Sequence, residues 1–444
     1  MLLYNVRLAW KSVLRHPVLS GLIVAGIALG VGVATTFVTA YGALSSDPIP
    51  GKSGDLFYVR LDSWDPAAPF SSSRPGPPQQ ITYRDLRGIL KTGIPLRQTG
   101  MFKSRMYVYP NASNTVGDRP FQQQVRLAFS DFFPMFDVPF RYGSGWDKTA
   151  DERAEQVVVL SAALNDRLFG GADSVGKTVR VANRDFRVVG VLAPWRPKVL
   201  FYDLTQNPNA QPEDLFMPFN LVEPMEVRSN GNIQSWSGPD SDDFVERLHN
   251  TEAVWLQMWV ELPTEAQRQG YKSFLDAYAL EQKKAGRFQR PLDNRITPVL
   301  ELMEEWEAVP AQAKSLAAIS LLFLVVAALN LIGLFLGKFL ARAPIVGVRR
   351  ALGASRRAIF LQHLVECELV GLIGGAFGLL LSFGGLALLN RVYRVISGTE
   401  GFFQLDATMV MTAILLSLAA GALAGIYPAW RICSIPPARH LKNQ

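Results

Sequence analysis

The sequence reads as an α-helical membrane protein of four transmembrane helices, with a large α+β extracytoplasmic domain inserted between helices 1 and 2. Three observations predict this class. Four apolar runs are long enough to span a bilayer. A stretch of about 270 residues without such a run separates the first from the second. The whole excess of positive charge flanks the runs on one side. The chain has 444 residues, a prior of two to three domains of roughly 150 residues. It is 49% hydrophobic and 19% charged, against about 25% charged in soluble proteins. A mean hydropathy of +0.13 suits a mixture of membrane spans and a sizeable water-soluble part. This composition excludes a disordered or collagen-like chain.

The elements follow in order. Segment 1–17 carries Arg7, Lys11 and Arg15. Val18–Leu44 has no charge in 27 residues and marks the first span, 18–44. A helix needs about 20 apolar residues to cross a hydrocarbon core of about 30 Å. The run far exceeds the roughly 7–15-residue core of a secretory signal, and no A-x-A site follows it. Leu316–Gly337, whose main polar residue is Asn330, marks the second span, 313–340. Leu369–Leu389, preceded by Glu366 and Glu368, marks the third, 366–390, and Ala407–Trp430 the fourth, 407–430. Glycine and proline recur in these runs, as is normal for membrane helices. No charged residue stands at mid-span, which argues against a hydrophilic pore.

Basic residues set the orientation. Segments 1–17, 338–357 and 431–444 together hold twelve Lys and Arg and no acid, while the rest of the chain holds 33 basic and 38 acidic residues. By the positive-inside rule both termini and the 341–365 loop are cytoplasmic. Domain 45–312 and the short loop 391–406 are then extracytoplasmic, and 431–444 is a cytoplasmic tail. The net charge of +7 therefore reflects membrane-flanking residues and not a patch for nucleic acid.

Domain 45–312 alternates helix and strand signals, with loops at Ser71–Pro78 and Pro208–Pro212. Thr178–Val181 and Asp185–Leu192 read as a strand pair around an Ala-Asn-Arg-Asp turn. Ser161–Phe169 reads as a helix with Ser161 as N-cap. Pro298–Lys314 reads as a helix continuing into the second span. Cys367 and Cys433 lie outside the domain, so it needs no oxidising environment. They and the dispersed histidines His16, His249, His363 and His440 exclude a disulfide framework and give no zinc-site spacing. His249 reads as a surface residue. No catalytic residue or metal site can be assigned.

One motif tests the enzyme reading. Gly171–Thr178 matches G-x-x-x-x-G-K-[ST], in which backbone amides cradle phosphate and Lys177 would reach its oxygens. That chemistry requires a strand before the motif and a helix after it. The predicted order is reversed, so Gly171, Gly176, Lys177 and Thr178 are read as a turn that resembles a phosphate loop, with no cofactor bound.

The most informative stretch is Gly347, Val348, Arg349, Arg350, Ala351, Leu352, Gly353, Ala354, Ser355, Arg356 and Arg357. Val348–Leu352 reads as a short basic helix, Gly353 as its end, and Ser355 as the cap of a helix entering the membrane. Such an element is a compact cationic knob. Read more simply, it is a topology signal that touches lipid headgroups.

The R-R-A-L-G-A-S-R-R string at 349–357 resembles the MacB/FtsX-type (type VII) ABC transporter permeases. Residues 2–15 resemble that family's amphipathic N-terminal helix, and Val158–Leu192 its periplasmic core domain. Ile426–Arg431 with Pro436–Leu441 resembles the end of its fourth helix and its tail. The resemblance implies a permease subunit in a bacterial inner membrane, with no catalytic residue of its own. ATP and Mg would be bound by a separate ABC ATPase dimer docked on 347–357 as the coupling helix. A second permease copy, identical or not, would complete the pair. ATP-driven movement of the extracytoplasmic domains would extrude substrate, with a periplasmic adaptor and an outer-membrane channel. The same family also implies two alternatives: an FtsX-like signalling subunit that activates a cell-wall hydrolase, and a lipoprotein-releasing permease. Pro344 and Ile345 depart from the family pattern, which usually has glutamate at the latter position.

Overall fold

The structure, a computed structural model, describes residues 2–15, 17–71, 76–110, 119–205, 210–238, 241–397, 403 and 407–434. The resembling segment Pro436–Leu441, half of the 391–406 segment, and parts of the loops read at Ser71–Pro78 and Pro208–Pro212 lie outside the described residues. The chain opens with α1 (Leu2–Arg15) and α2 (Pro17–Ser45). There follow β1 (Leu56–Arg60), α3 (Tyr83–Ile89), β2 (Arg97–Tyr109), β3 (Phe121–Ala128), α4 (Phe132–Met135), β4 (Phe140–Gly143), α5 (Lys148–Glu152), β5 (Val157–Leu160) and α6 (Ala162–Phe169). Next come β6 (Thr178–Val181), β7 (Arg184–Leu192), β8 (Leu215–Pro218), α7 (Phe244–Asn250), β9 (Gln257–Glu261), α8 (Glu265–Lys284), β10 (Arg295–Pro298) and α9 (Val299–Glu305). The last helices are α10 (Ala311–Leu340), α11 (Ala343–Ala351), α12 (Arg356–Ser397) and α13 (Ala407–Cys433). Two units result. One is Asp47–Ala308; the other joins the residues up to Ser46 with those from Val309 onward.

In the first unit ten strands form one mixed sheet, ordered β10-β1-β9-β2-β3-β8-β5-β7-β4, with β6 pairing both β2 and β7. Side chains alternate across it. Leu56 and Tyr58 of β1 enter a cluster with Phe132, Trp259 and Trp306, while Phe57 and Val59 enter another with Leu86 and Tyr271. Helices and loops cover both faces, so β5 (VVVL) and β8 (LFMP) are buried throughout and read as unbroken apolar runs. Local capping fixes the helices. Thr82 accepts from Asp85 N at 3.1 Å, and Thr264 with Gln267 forms a reciprocal capping box on α8.

The β6–β7 connection is tighter than the four-residue turn expected from the sequence. Ala182 and Asn183, at φ +46° and +64°, form a two-residue hairpin turn, and β7 begins at Arg184. Helix Pro298–Lys314 is not continuous: α9 ends at Glu305 and α10 starts after Pro310. Pro310 supplies no amide for a helix interior and biases the residue before it away from helical angles.

In the second unit the described residues contain four helices long and apolar enough to span a membrane: Pro17–Ser45, Ala311–Leu340, Arg356–Arg394 and Ala407–Cys433. Glycines on α12 set the packing. A Cβ on Gly374 would lie 2.7 Å from Ile27 Cβ, and one on Gly385 2.6 Å from Thr36 Oγ1, so α2 approaches at the backbone. On its other side Gly375 faces Ser417 of α13, where a Cβ would come within 2.4 Å. Ser382 Oγ donates across the α2 contact to Gly32 O at 3.0 Å.

Candidate functional site

The residues singled out at 347–357 form the end of α11, a four-residue corner and the start of α12. The helix begins at Ala343, five residues before the expected Val348. Pro344 lies in its first turn, where the missing amide has no intrahelical partner to lose. Ala343 and Val346 are buried in one cluster with Phe339, Ile359 and Ile432, which anchors α11 to the ends of α10, α12 and α13. Gly353 closes the corner at φ +99°, a left-handed angle that side chains resist. Gly353 N donates to Arg350 O at 3.1 Å and Ala354 N to Arg349 O at 3.0 Å. Ser355 caps α12 by accepting from Ala358 N at 3.2 Å.

The four arginines divide into two pairs. Arg349 Nη1 donates to Gln362 Oε1 at 2.8 Å, and Arg350 Nη1 donates to Cys433 O at 3.2 Å. These two tie the corner to α12 and α13. Arg356 and Arg357 are exposed. Between the pairs runs a feature that the cationic reading of this stretch missed. Ile345, Val348 and Leu352 are 58%, 51% and 84% exposed. Their spacing of three and four places them on one face of a helical path. The signal was present in the sequence as I-x-x-V-x-x-x-L, but it was overshadowed by the charges. The corner therefore presents an apolar stripe bordered by cations.

Beneath it lies a second feature that the sequence reading missed. Glu366 and Lys338, each 2% exposed, pair at 2.9 Å. Arg342 approaches Glu366 at 3.5 Å and donates to Ser12 Oγ at 2.5 Å, and Ser12 Oγ donates to Glu366. Lys338 Nζ also donates to Ser20 Oγ at 3.2 Å, and the His363 ring lies tilted against Phe339 with centroids 4.4 Å apart. Lys338, one of the flanking basic residues, and Glu366, just before the third apolar run, thus form one buried ionic cluster joining α1, α2, α10 and α12. A buried charge persists only when it is paired and hydrogen-bonded, and this one satisfies that rule.

The phosphate-loop lookalike has the order expected from the sequence. Helix α6 precedes it, capped by Ser161 Oγ accepting from Leu164 N at 3.1 Å, and β6 follows it. Several of its amides are already used. Gly176 N donates to Val188 O at 2.8 Å, Lys177 N to Ser174 O at 3.0 Å, and Val175 N to Asp173 Oδ1 at 2.9 Å. Lys177 Nζ lies over the Phe169 ring at 5.3 Å, and Thr178 pairs with Arg187. Gly171 and Gly176 take φ of +81° and +83°, which is the turn's requirement for glycine. His249 is half exposed, lies perpendicular to the Tyr83 ring with centroids 5.1 Å apart and bonds Glu223 at 3.0 Å. Among the described residues no cluster of His, Cys, Asp and Glu could hold a metal.

Two family models match the chain. One, the MacB-like periplasmic core domain, covers residues 20–272, and the other, the FtsX-like permease C-terminal, covers residues 317–437. A Bacillus subtilis protein described as an uncharacterized ABC transporter permease, YknZ, is 23% identical over the full length of both chains. The macrolide export ATP-binding/permease protein MacB of Syntrophobacter fumaroxidans is 25% identical over 70% of this chain and 46% of its own. That of Neisseria meningitidis is 22% identical over 97% and 59%. The chain thus spans about half the length of those MacB relatives. A crystal structure of the periplasmic region of MacB from Actinobacillus actinomycetemcomitans aligns to 58% of this chain and 95% of its own, with 16% identity and a TM-score of 0.36.

Proposed function

The chain belongs to the ABC transporter permeases that combine a MacB-like periplasmic core domain with an FtsX-like membrane domain, and from that premise we propose that it is the permease subunit of an ATP-driven exporter. It is a multi-pass membrane protein with an extracytoplasmic domain. On this reading it lies in a bacterial inner membrane with both termini in the cytoplasm. A separate ABC ATPase dimer binds ATP and Mg, a second permease completes the pair, and a periplasmic adaptor with an outer-membrane channel carries the substrate out. The 347–357 corner receives the ATPase. Gly171–Thr178 is a structural turn in a chain that is a transport subunit and not an enzyme.

The observation that supports this reading most directly is the exposed stripe of Ile345, Val348 and Leu352 beside Arg356 and Arg357, on a helix whose other face is buried. An apolar patch with a charged border is the composition of a protein interface. The rigid attachment of α11 through Ala343, Val346, Arg349 and Arg350 allows force applied there to reach α10, α12 and α13.

The test is affinity purification of the full chain from its native membrane in mild detergent, with partners identified and ATPase activity measured. The wild type should retain an ABC ATPase and a periplasmic adaptor. V348D/L352D should lose the ATPase by at least about ten-fold, since each change puts an unpaired carboxylate where an apolar contact has to form. R356E/R357E should weaken it in a salt-dependent way. Retention of the ATPase by V348D/L352D would remove the docking assignment, and recovery of no ATPase by the wild type would remove the exporter reading. An ATPase recovered with a cell-wall hydrolase would replace export with signalling.

A further inference from the structure

A cavity of about 420 Å³ opens in the extracytoplasmic domain between residues 227–237, helix α7 and residues 251–255. The isolated bridge between Gln234 and Val254 joins the two flanking segments. The floor is apolar: Val227, Leu248 and Trp255 are buried members of the domain core. Trp255 is held edge-on to Phe102 at a centroid distance of 4.8 Å. Phe244 packs partly against that core, and Ile233 stands 51% exposed at the mouth. The volume falls in the range of about 300–1,000 Å³ that holds small molecules.

Three of the polar side chains that line the cavity lack partners, while Ser229, Ser235 and Thr251 are hydrogen-bonded within the chain. Arg228 and Arg247 both line it, and neither makes a salt bridge or a side-chain hydrogen bond among the described residues. Several other arginines of the same domain are neutralised: Arg287 meets Asp85 at 2.7 Å, Arg290 meets Asp62 at 3.0 Å and Arg295 meets Asp293 at 2.7 Å. Ser237 Oγ, also in the lining, is shielded from solvent and has no partner. No carboxylate lines the cavity among the described residues. Two unpaired guanidiniums beside an apolar floor favour an anion that is also greasy. The guanidinium offers charge-assisted, bidentate hydrogen bonds to carboxylate or phosphate, and the floor offers burial for hydrocarbon.

We infer that this cavity binds an anionic amphiphile, with its hydrocarbon against Trp255, Leu248 and Phe244 and its carboxylate or phosphate at Arg228 and Arg247. The free hydroxyl of Ser237 supplies a further donor to the head group. Binding is a property of the domain's own residues and holds whether or not the chain exports anything. The shared chemistry could come from a free fatty acid or from an anionic phospholipid.

The full-length chain in phosphatidylcholine nanodiscs distinguishes these sources. Diazirine-bearing palmitic acid and diazirine-bearing phosphatidylglycerol are photolysed in separate samples, and labelled residues are mapped by mass spectrometry. One or both probes should label residues 227–255, and the probe that does so identifies the source. Labelling of the spans provides an internal standard. R228E/R247E should lower the cavity labelling at least about ten-fold relative to the spans, the loss expected for two charge-assisted hydrogen bonds. S235W, a change at an exposed lining residue that keeps both arginines, should lower it by filling the mouth. Labelling confined to the spans with both probes would overturn the inference. So would cavity labelling unchanged in both variants, or equal labelling by the diazirine analogue of palmityl alcohol.

Discussion

Asp151 is buried at the end of α5, where it accepts from Ser130 N at 2.6 Å and from Trp146 Nε1 at 2.8 Å. Burial raises its pKa from 3.8 to about 6, against the pull of those two donors and with a small push from Asp131. The folded value lies above the unfolded one. Its contribution to stability is therefore complete below about pH 4 and is lost as pH rises through about 6. The difference corresponds to about 2–3 kcal/mol. Melting of the full chain in one detergent at pH 4, 5, 6 and 7 should show the wild type losing ground to D151N across this window. Parallel curves would show that Asp151 does not titrate there. Other charges of this domain were hidden from sequence reasoning for the same reason. Arg126 is fully buried and meets Asp203 and Glu213, but the three are distant in the chain, and only the folded sheet brings them together.

At the scale of elements, α12 is 42 residues long and about 63 Å at 1.5 Å per residue, and its glycines decide which helices may touch it. Replacing Gly374 by leucine drives a side chain into Ile27 of α2, where even a Cβ would stand 2.7 Å away. G374L should cost about 1–3 kcal/mol, read as a lowered melting temperature in detergent. G384L, where nothing lies within 4 Å of an added Cβ, should be neutral. Equal melting of both variants would show that the α2 contact does not depend on this glycine. The four spans were legible because length and apolarity suffice to define them, and α6 was legible from its Ser161 cap. The start of α11 was not. Its N-cap, Arg342, makes no side-chain cap hydrogen bond, and a proline between two apolar stretches marks the end of one helix as readily as the first turn of the next. The break before α10 was signalled by Pro310 but outweighed by the helix formers around it. The apolar stripe and the Lys338–Glu366 cluster depend on which faces meet, which no local pattern states.

The whole molecule is an extracytoplasmic α/β unit inserted between the first and second of four spans. Its topology makes a prediction of its own. Leu292 is half exposed in the domain and Leu14 is largely exposed on α1, while the native Cys367 and Cys433 are buried. In whole cells a membrane-impermeant maleimide should label L292C, and should label L14C only after the membrane that holds the chain is opened. The reverse pattern would invert the orientation. The cluster at Glu366 also bears on how the chain is made. Lys338 ends the second span, and its counter-charge does not exist until Glu366 of the third span has been synthesised. Released singly, each of these helices brings an unmatched ion to the lipid boundary, whereas a hairpin of the two presents a neutral pair. Biogenesis therefore favours their joint departure from the insertion machinery, and removing either ion exposes the other to quality control.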